Sequence, residues 1–236
     1  MDKILYNLLF EKTANSLLFK SKDGCAILSR NPGKPICLYV KEGSDIESVR
    51  CFLWRQFNEG QMQETSGIIG PTWALSCLPI VAKSNWEIAA FFLPKQKVVL
   101  GSVQELSYPS NTKVNIEMLA KWIKNFYEEA LLHNLEDSVG YATALIRAEK
   151  IYTLQNHAMG MIIPLSYGMS RLNLIYTAPE YRGQGYGKEI VLSLAKKVQD
   201  EGLLPVLYAR VANKAAMATY QSLGFVEAGR LTEMRF

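Results

Sequence analysis

A chain of 236 residues, 49% hydrophobic and 20% charged, can bury a sizeable core without staples and lies between one large domain and two ordinary ones. Its net charge of +4 comes without a Lys/Arg cluster, which argues against a nucleic-acid surface. Cys25, Cys37, Cys51 and Cys77 lack CxxC spacing, and only His133 and His157 accompany them. No metal site is expected, and the cysteines are expected to be reduced and mostly buried.

The opening MDKILYNLLFEK is interrupted by Asn7 and closed by Glu11, too short and too polar for a secretory leader. No later run approaches about 18 uncharged apolar residues, so a cytoplasmic protein with no membrane partner is expected. No repeat or low-complexity tract is visible. Residues 24–29 and 36–41 read as strands joined by a turn at Asn31-Pro32-Gly33. Asp45 then precedes a helix carrying Ile46, Val49, Phe52, Leu53 and Phe57 at helical spacing. The apolar run after Pro71 reads as helical until Pro79 breaks it. Strands are expected at 87–93 and 97–104, flanking Pro94-Lys95-Gln96.

Residues 107–113 (SYPSNTK) are polar and contain proline, and they suggest a boundary between domains at 1–110 and 111–236. The next helix presents Met118, Leu119, Trp122, Ile123 and Phe126 on one face. A second helix near 138–148 leads into a hairpin from IYTLQ and AMGMIIPLS. A strand, a glycine-rich turn, a helix, a strand, a helix and a terminal hairpin follow. This alternation gives an α/β (α+β) class with a mixed, partly parallel sheet.

The chemistry concentrates in residues 172–199. A strand from Leu172 to Thr177 is broken by Ala178-Pro179-Glu180. Arg182-Gly183-Gln184-Gly185-Tyr186-Gly187 follows, and then a helix with Ile190, Val191, Leu194 and Val198 apolar. A helix start leaves about four backbone N–H groups unpaired and carries about half a positive charge, and glycines let an anion approach them. Glycine costs a helix about 1 kcal/mol against alanine, so two at a helix entry point to closeness or a tight turn. A dinucleotide G-x-G-x-x-G from Gly183 fails at Lys188. A P-loop fails at Arg182 and Glu189.

The spacing that fits is R-x-x-G-x-G at Arg182, Gly185 and Gly187. Here the chain resembles the GNAT N-acetyltransferase superfamily, whose acetyl-CoA pyrophosphate loop reads Q/R-x-x-G-x-G/A. Asn213, Ala216, Tyr220 and Leu223-Gly224-Phe225 form N-x-x-A-x-x-x-Y-x-x-L-G-F, similar to the family's second signature. The stretches IYTAPEYRGQGYG and LYARVANKAAMATYQSLGF look like two-domain bacterial members with a degenerate GNAT-like N-terminal domain. The signatures span residues 172–225, and agreement over 1–110 is one of layout.

The resemblance implies a GNAT fold with a sheet splayed at the CoA site and acetyl-CoA as co-substrate. Pantetheine would meet the backbone at Ile175, Tyr176 and Thr177. The pyrophosphate would meet N–H groups from Arg182 through Gly183, Gln184, Gly185, Tyr186 and Gly187 to Lys188. Asn213 would reach the pantetheine arm as well as cap its helix. Tyr220 matches the residue that protonates the departing thiolate, the packing alternative being a half-buried aromatic. The strand before the loop offers Asn173 where many members carry a glutamate base. His157 is a weaker substitute, so no base is assigned.

The expected activity is transfer of acetyl to an amine acceptor, with the N-terminal part shaping the acceptor side. A small amine, an antibiotic, a peptide N-terminus and a lysine side chain all stay open. The alternative is a non-catalytic acetyl-CoA sensor, favoured by the missing carboxylate.

Overall fold

The computed structural model describes residues 17–30, 35–41, 43–60, 67–78, 81–95, 105–131, 135–165 and 167–235. The N-terminal apolar stretch, the Asn31-Pro32-Gly33 turn, the Pro79 break, the strand at 97–104 with Gln96, and His133 lie outside these residues. The chain divides into two compact units. One runs to Ala90 and takes in Ala209–Ala212 and the described part of Glu227–Phe236; the other holds Phe91–Tyr208 and Asn213–Val226. The division is therefore not a single cut near residue 110, because the last strand belongs with the first part of the chain.

The first unit contains β1 (Leu17–Lys20), β2 (Ala26–Arg30), β3 (Ile36–Val40), β4 (Gly67–Gly70), β5 (Ser84–Phe92) and β10 (Val226–Arg235), in the order β1-β2-β3-β4-β10-β5. β3 and β4 pair in parallel, and β10 pairs antiparallel to β4. Helix α1 (Ile46–Asn58) is capped by Asp45, whose carboxylate accepts the Ser48 N–H at 2.8 Å. It buries Val49, Phe52 and Leu53 but leaves Ile46 and Phe57 outside.

Three expectations are corrected here, and two strands are added. The helix after Pro71 is one turn, α2 (Thr72–Leu75). The terminal hairpin is one ten-residue strand, β10, whose last four residues pair with distant β4 instead of folding back. Two unforeseen strands, β1 and β4, are short and lack a run of alternating residues. Of the cysteines only Cys25 is buried, and Cys51 is exposed on α1.

The second unit begins with α3 (Lys113–Phe126), which continues through one π-helical turn at Tyr127–Leu131, and α4 (Ser138–Arg147). Then come β6 (Ile151–Leu154), β7 (Ala158–Leu165), β8 (Met169–Thr177), α5 (Tyr186–Asp200), β9 (Leu204–Arg210) and α6 (Lys214–Ser222), with strand order β9-β8-β7-β6. β6, β7 and β8 pair antiparallel, while β8 and β9, joined through α5, pair in parallel.

Leu119, Trp122 and Ile123 of α3 and Leu145 and Ile146 of α4 pack on Ile151, Met159, Met161, Leu174 and Tyr176. Met118 and Phe126 sit at the margin of this core, half-buried. On α5, Ile190, Val191, Leu194 and Val198 are all buried. A Cβ at Gly160 of β7 would stand 2.5 Å from Leu194, so that glycine sets how closely helix and strand approach.

Candidate active site

β8 ends at Thr177, and one 3-10 turn (Pro179–Tyr181) leads to extended Arg182. Gly183 and Gly185 have φ of 76° and 95°, the left-handed region that glycine enters without a Cβ penalty. α5 starts at the next residue without a side-chain cap. The Arg182 N–H is committed to Pro179 O at 3.3 Å, and those of Lys188 and Glu189 to Gly185 O at 2.9 and 3.1 Å. The N–H groups of Gly183, Gln184, Gly185, Tyr186 and Gly187 have no backbone acceptor among the described residues. Five open donors at the positive end of a 15-residue helix make an anion cradle. It is narrower than the expected span, since Arg182 and Lys188 use their amides internally.

The ladder between β8 and β9 covers Met169↔Leu204, Ser170↔Pro205 and Arg171↔Val206, then stops. Both strands run on, to Thr177 and Arg210, so the sheet is splayed ahead of the loop. β8 also holds a bulge. Asn173 faces Met161 and Tyr176 faces Met159, leaving one extra residue on β8, with Leu174 at φ 49°. A left-handed leucine costs roughly 1–2 kcal/mol, and its burial in the core holds it there.

The Ala178 N–H donates to His157 O at 3.0 Å. By strand alternation the backbone of Tyr176 also faces β7, while that of Ile175 and Thr177 faces the open edge. The backbone edge therefore consists of Ile175 and Thr177, and Tyr176 drops out of it.

Asn213 accepts the Ala216 N–H at 3.1 Å and caps α6, and its side-chain NH₂ has no acceptor among the described residues. Tyr220 on α6 is 7% exposed, not half-buried. Its ring meets Phe91 edge-on at 6.0 Å and Phe225 at 6.1 Å. Burial alone pushes its phenol up to about 12, so the hydroxyl keeps its proton.

The fold as a whole is one found in solved structures. A GCN5-related N-acetyltransferase from Kribbella flavida aligns with a TM-score of 0.66 at 10% identity, over 99% of this chain and 95% of that one. An acetyltransferase of the GNAT family from Colwellia psychrerythraea aligns at 0.58 and 16% identity, over 92% and 83%. This chain has the GNAT acetyltransferase fold. The family model described as FR47-like protein matches residues 150–235, from β6 to the end of β10. A mycothiol acetyltransferase from Paenarthrobacter aurescens (strain TC1) is 44% identical over 54 residues, which cover 22% of this chain and 17% of that protein.

Within this GNAT fold, the Arg182 side chain does structural work that sequence reasoning missed. Its Nη2 donates to both carboxylate oxygens of Glu129 at 2.8 and 3.1 Å, and its Nε donates to Thr177 O at 3.1 Å. The Tyr176 hydroxyl donates to Glu129 at 3.3 Å and accepts from Asn125 at 3.1 Å. The π turn places Glu129 in this role, and nothing in FYEEALL distinguishes it from Glu128. The network ties the end of β8 and the loop to α3.

His157 packs its ring 3.9 Å from that of Tyr181 and 4.5 Å from that of Tyr186, and its Nδ1 is buried without a partner among the described residues. It therefore supports the loop from beneath. Among the described residues no cluster of His, Cys, Asp or Glu could hold a metal ion, and no helix is long and apolar enough to cross a membrane.

Proposed function

We propose that this chain is an acetyl-CoA-dependent N-acetyltransferase acting in the cytoplasm. The observation that carries the reading is the row of open N–H groups at Gly183–Gly187 beside the unpaired edge of β8. Those donors suit a pyrophosphate. Ile175, Thr177 and the Asn213 amide suit the amide groups of a pantetheine arm running along the splay.

The acceptor amine attacks the thioester carbonyl carbon, forming the C–N bond. A backbone N–H of β8 holds the resulting oxyanion, and the C–S bond then breaks. The Tyr220 hydroxyl donates a hydrogen bond to the sulfur as it becomes a thiolate. The amine must be neutral to attack and sheds one further proton from its nitrogen once the C–N bond has formed; β8 offers Asn173 in place of a carboxylate, so water takes that proton and the thiolate leaves to be protonated by solvent.

The test is thiol release from acetyl-CoA against a panel of amines, alongside calorimetry of acetyl-CoA binding. Release that depends on an amine supports the enzyme. Tight binding with no release to any amine supports a sensor, the reading that the missing carboxylate favours.

A further inference from the structure

The loop that forms the anion cradle is held at both ends by one side chain, and every residue involved belongs to the second unit. His157 closes the turn between β6 and β7, its N–H donating to Leu154 O at 2.8 Å, while Gln155 and Asn156 have φ of 49° and 55°. Two adjacent left-handed residues match the twist of the flanking strands and fix this hairpin end. The His157 carbonyl takes the Ala178 N–H at 3.0 Å. Its ring then meets Tyr181, in the turn before the cradle, and Tyr186, the first residue of α5. The centroids are 3.9 and 4.5 Å away, and the two tyrosine rings stand 6.0 Å apart at 83°. Gly183, Gln184 and Gly185 lie between those tyrosines in the chain, and Tyr186 itself supplies one of the open N–H groups.

The imidazole is half-buried, and its Nδ1 is enclosed with no hydrogen-bond partner among the described residues. A neutral ring with its hydrogen on Nε2 leaves only a lone pair unmet there. A proton on Nδ1 would put a charged N–H in the same place without an acceptor, which costs more than an unmet neutral group. The charge would also stand at the positive end of α5. No counter-charge is at hand. The titratable groups in contact are the two phenols, whose faces recover only part of the lost hydration. Beside Tyr181, Glu180 and Arg182 are exposed, and Arg182 is engaged by Glu129. On α5, Lys188 is exposed and Glu189 half-buried, and neither glutamate pairs with the ring among the described residues. Leu154, Ala158 and Ala178, at the adjoining strand ends, bring no charge.

We infer that His157 is a positioning residue whose neutral ring sets the shape of the cradle, and that its protonation loosens the loop, so that acetyl-CoA binds more weakly as pH falls. This rests on the acetyl-CoA reading above and adds a proton-linked control of that same site.

Calorimetry of acetyl-CoA on the full chain compares wild type, His157→Phe and His157→Ala at about pH 7.5 and about pH 5.5, a span in which histidine changes charge. Wild-type Kd should rise by about tenfold on acidification, since ligand and proton then compete for opposite states of the loop. Phenylalanine keeps a ring against both tyrosines and takes no proton, so its Kd should stay within about threefold of the wild-type value at the higher pH under both conditions. His157→Ala empties the wedge and should bind about tenfold more weakly at both pH values. A phenylalanine variant as weak as the alanine one, or with the same acid loss as wild type, overturns the assignment. Tighter wild-type binding at the lower pH overturns it too.

Where thermal melts show that a variant does not fold, the ligand-free wild type decides by NMR. The amide signals of Gly183, Gly185 and Gly187 should move with the His157 ring at one shared midpoint, and amides that ignore that titration overturn the inference. If acetyl-CoA binds at neither pH, the acetyl-CoA reading fails by itself, and the same titration still decides the role of His157.

Discussion

Replacing Tyr220 with phenylalanine tests the leaving-group step with little collateral change. The ring is held by Phe91 and Phe225, and its hydroxyl bonds to no described residue, so removing it orphans no partner. Stability should change by less than about 0.5 kcal/mol. With the phenol near 12 and a thiol near 8.5, complete proton transfer is uphill by roughly 5 kcal/mol. The hydroxyl is therefore expected to act as a hydrogen-bond donor to a developing thiolate, worth about 1.5–3 kcal/mol. Turnover should fall by roughly 10- to 150-fold, at or below the lower end of the range of about 10²–10⁴ for positioned acid–base groups. The loss should sit in kcat rather than KM, since the bond forms only as the sulfur gains charge. Acetyl-CoA affinity by calorimetry should stay within a few-fold. A phenylalanine variant with full kcat would show that Tyr220 is packing alone.

The same phenol shapes alkaline stability. A folded-state value near 12, raised above an unfolded value of about 10, gives a contribution fully present below pH 10 and lost as pH rises through 12. Wild-type stability should therefore fall by about 3 kcal/mol between pH 10 and pH 12; denaturant titrations of Tyr220→Phe should lose this part of the pH slope, and identical slopes would refute the burial argument. Acetyl-CoA at 100 times its dissociation constant should stabilise the wild type by about 2.7 kcal/mol. Gly187→Glu should abolish that shift, because its Cβ sits 3.3 Å from Thr177 Oγ1 and its charge enters the cradle. An undiminished shift would remove the pyrophosphate from this loop. Glu129→Gln breaks a half-exposed ion pair and should cost under about 1 kcal/mol of stability, yet weaken acetyl-CoA binding several-fold by releasing Arg182. Unchanged affinity would reduce that network to surface packing.

Much of the site was legible in the chain itself because its parts are local. Strand, glycine turn and helix from Leu172 to Val198 follow from β-prone residues, positive-φ glycines and helical spacing within 27 residues. The Asn213 cap and the apolar stripe of α3 are likewise short-range. Folding through distant contacts decided the rest. Which amides stay open depends on what Pro179 and Gly185 accept, and the splay depends on where the β8–β9 ladder ends. Glu129 was indistinguishable from Glu128 until a π turn set it against Arg182. The terminal strand looked like a hairpin because its partner, β4, lies over 150 residues earlier. His157 meets Tyr181 and Tyr186 because β7 and β8 lie side by side. No local pattern predicts such a meeting, since a side chain's partner is set by strand order and register, and these emerge only when the whole chain has packed.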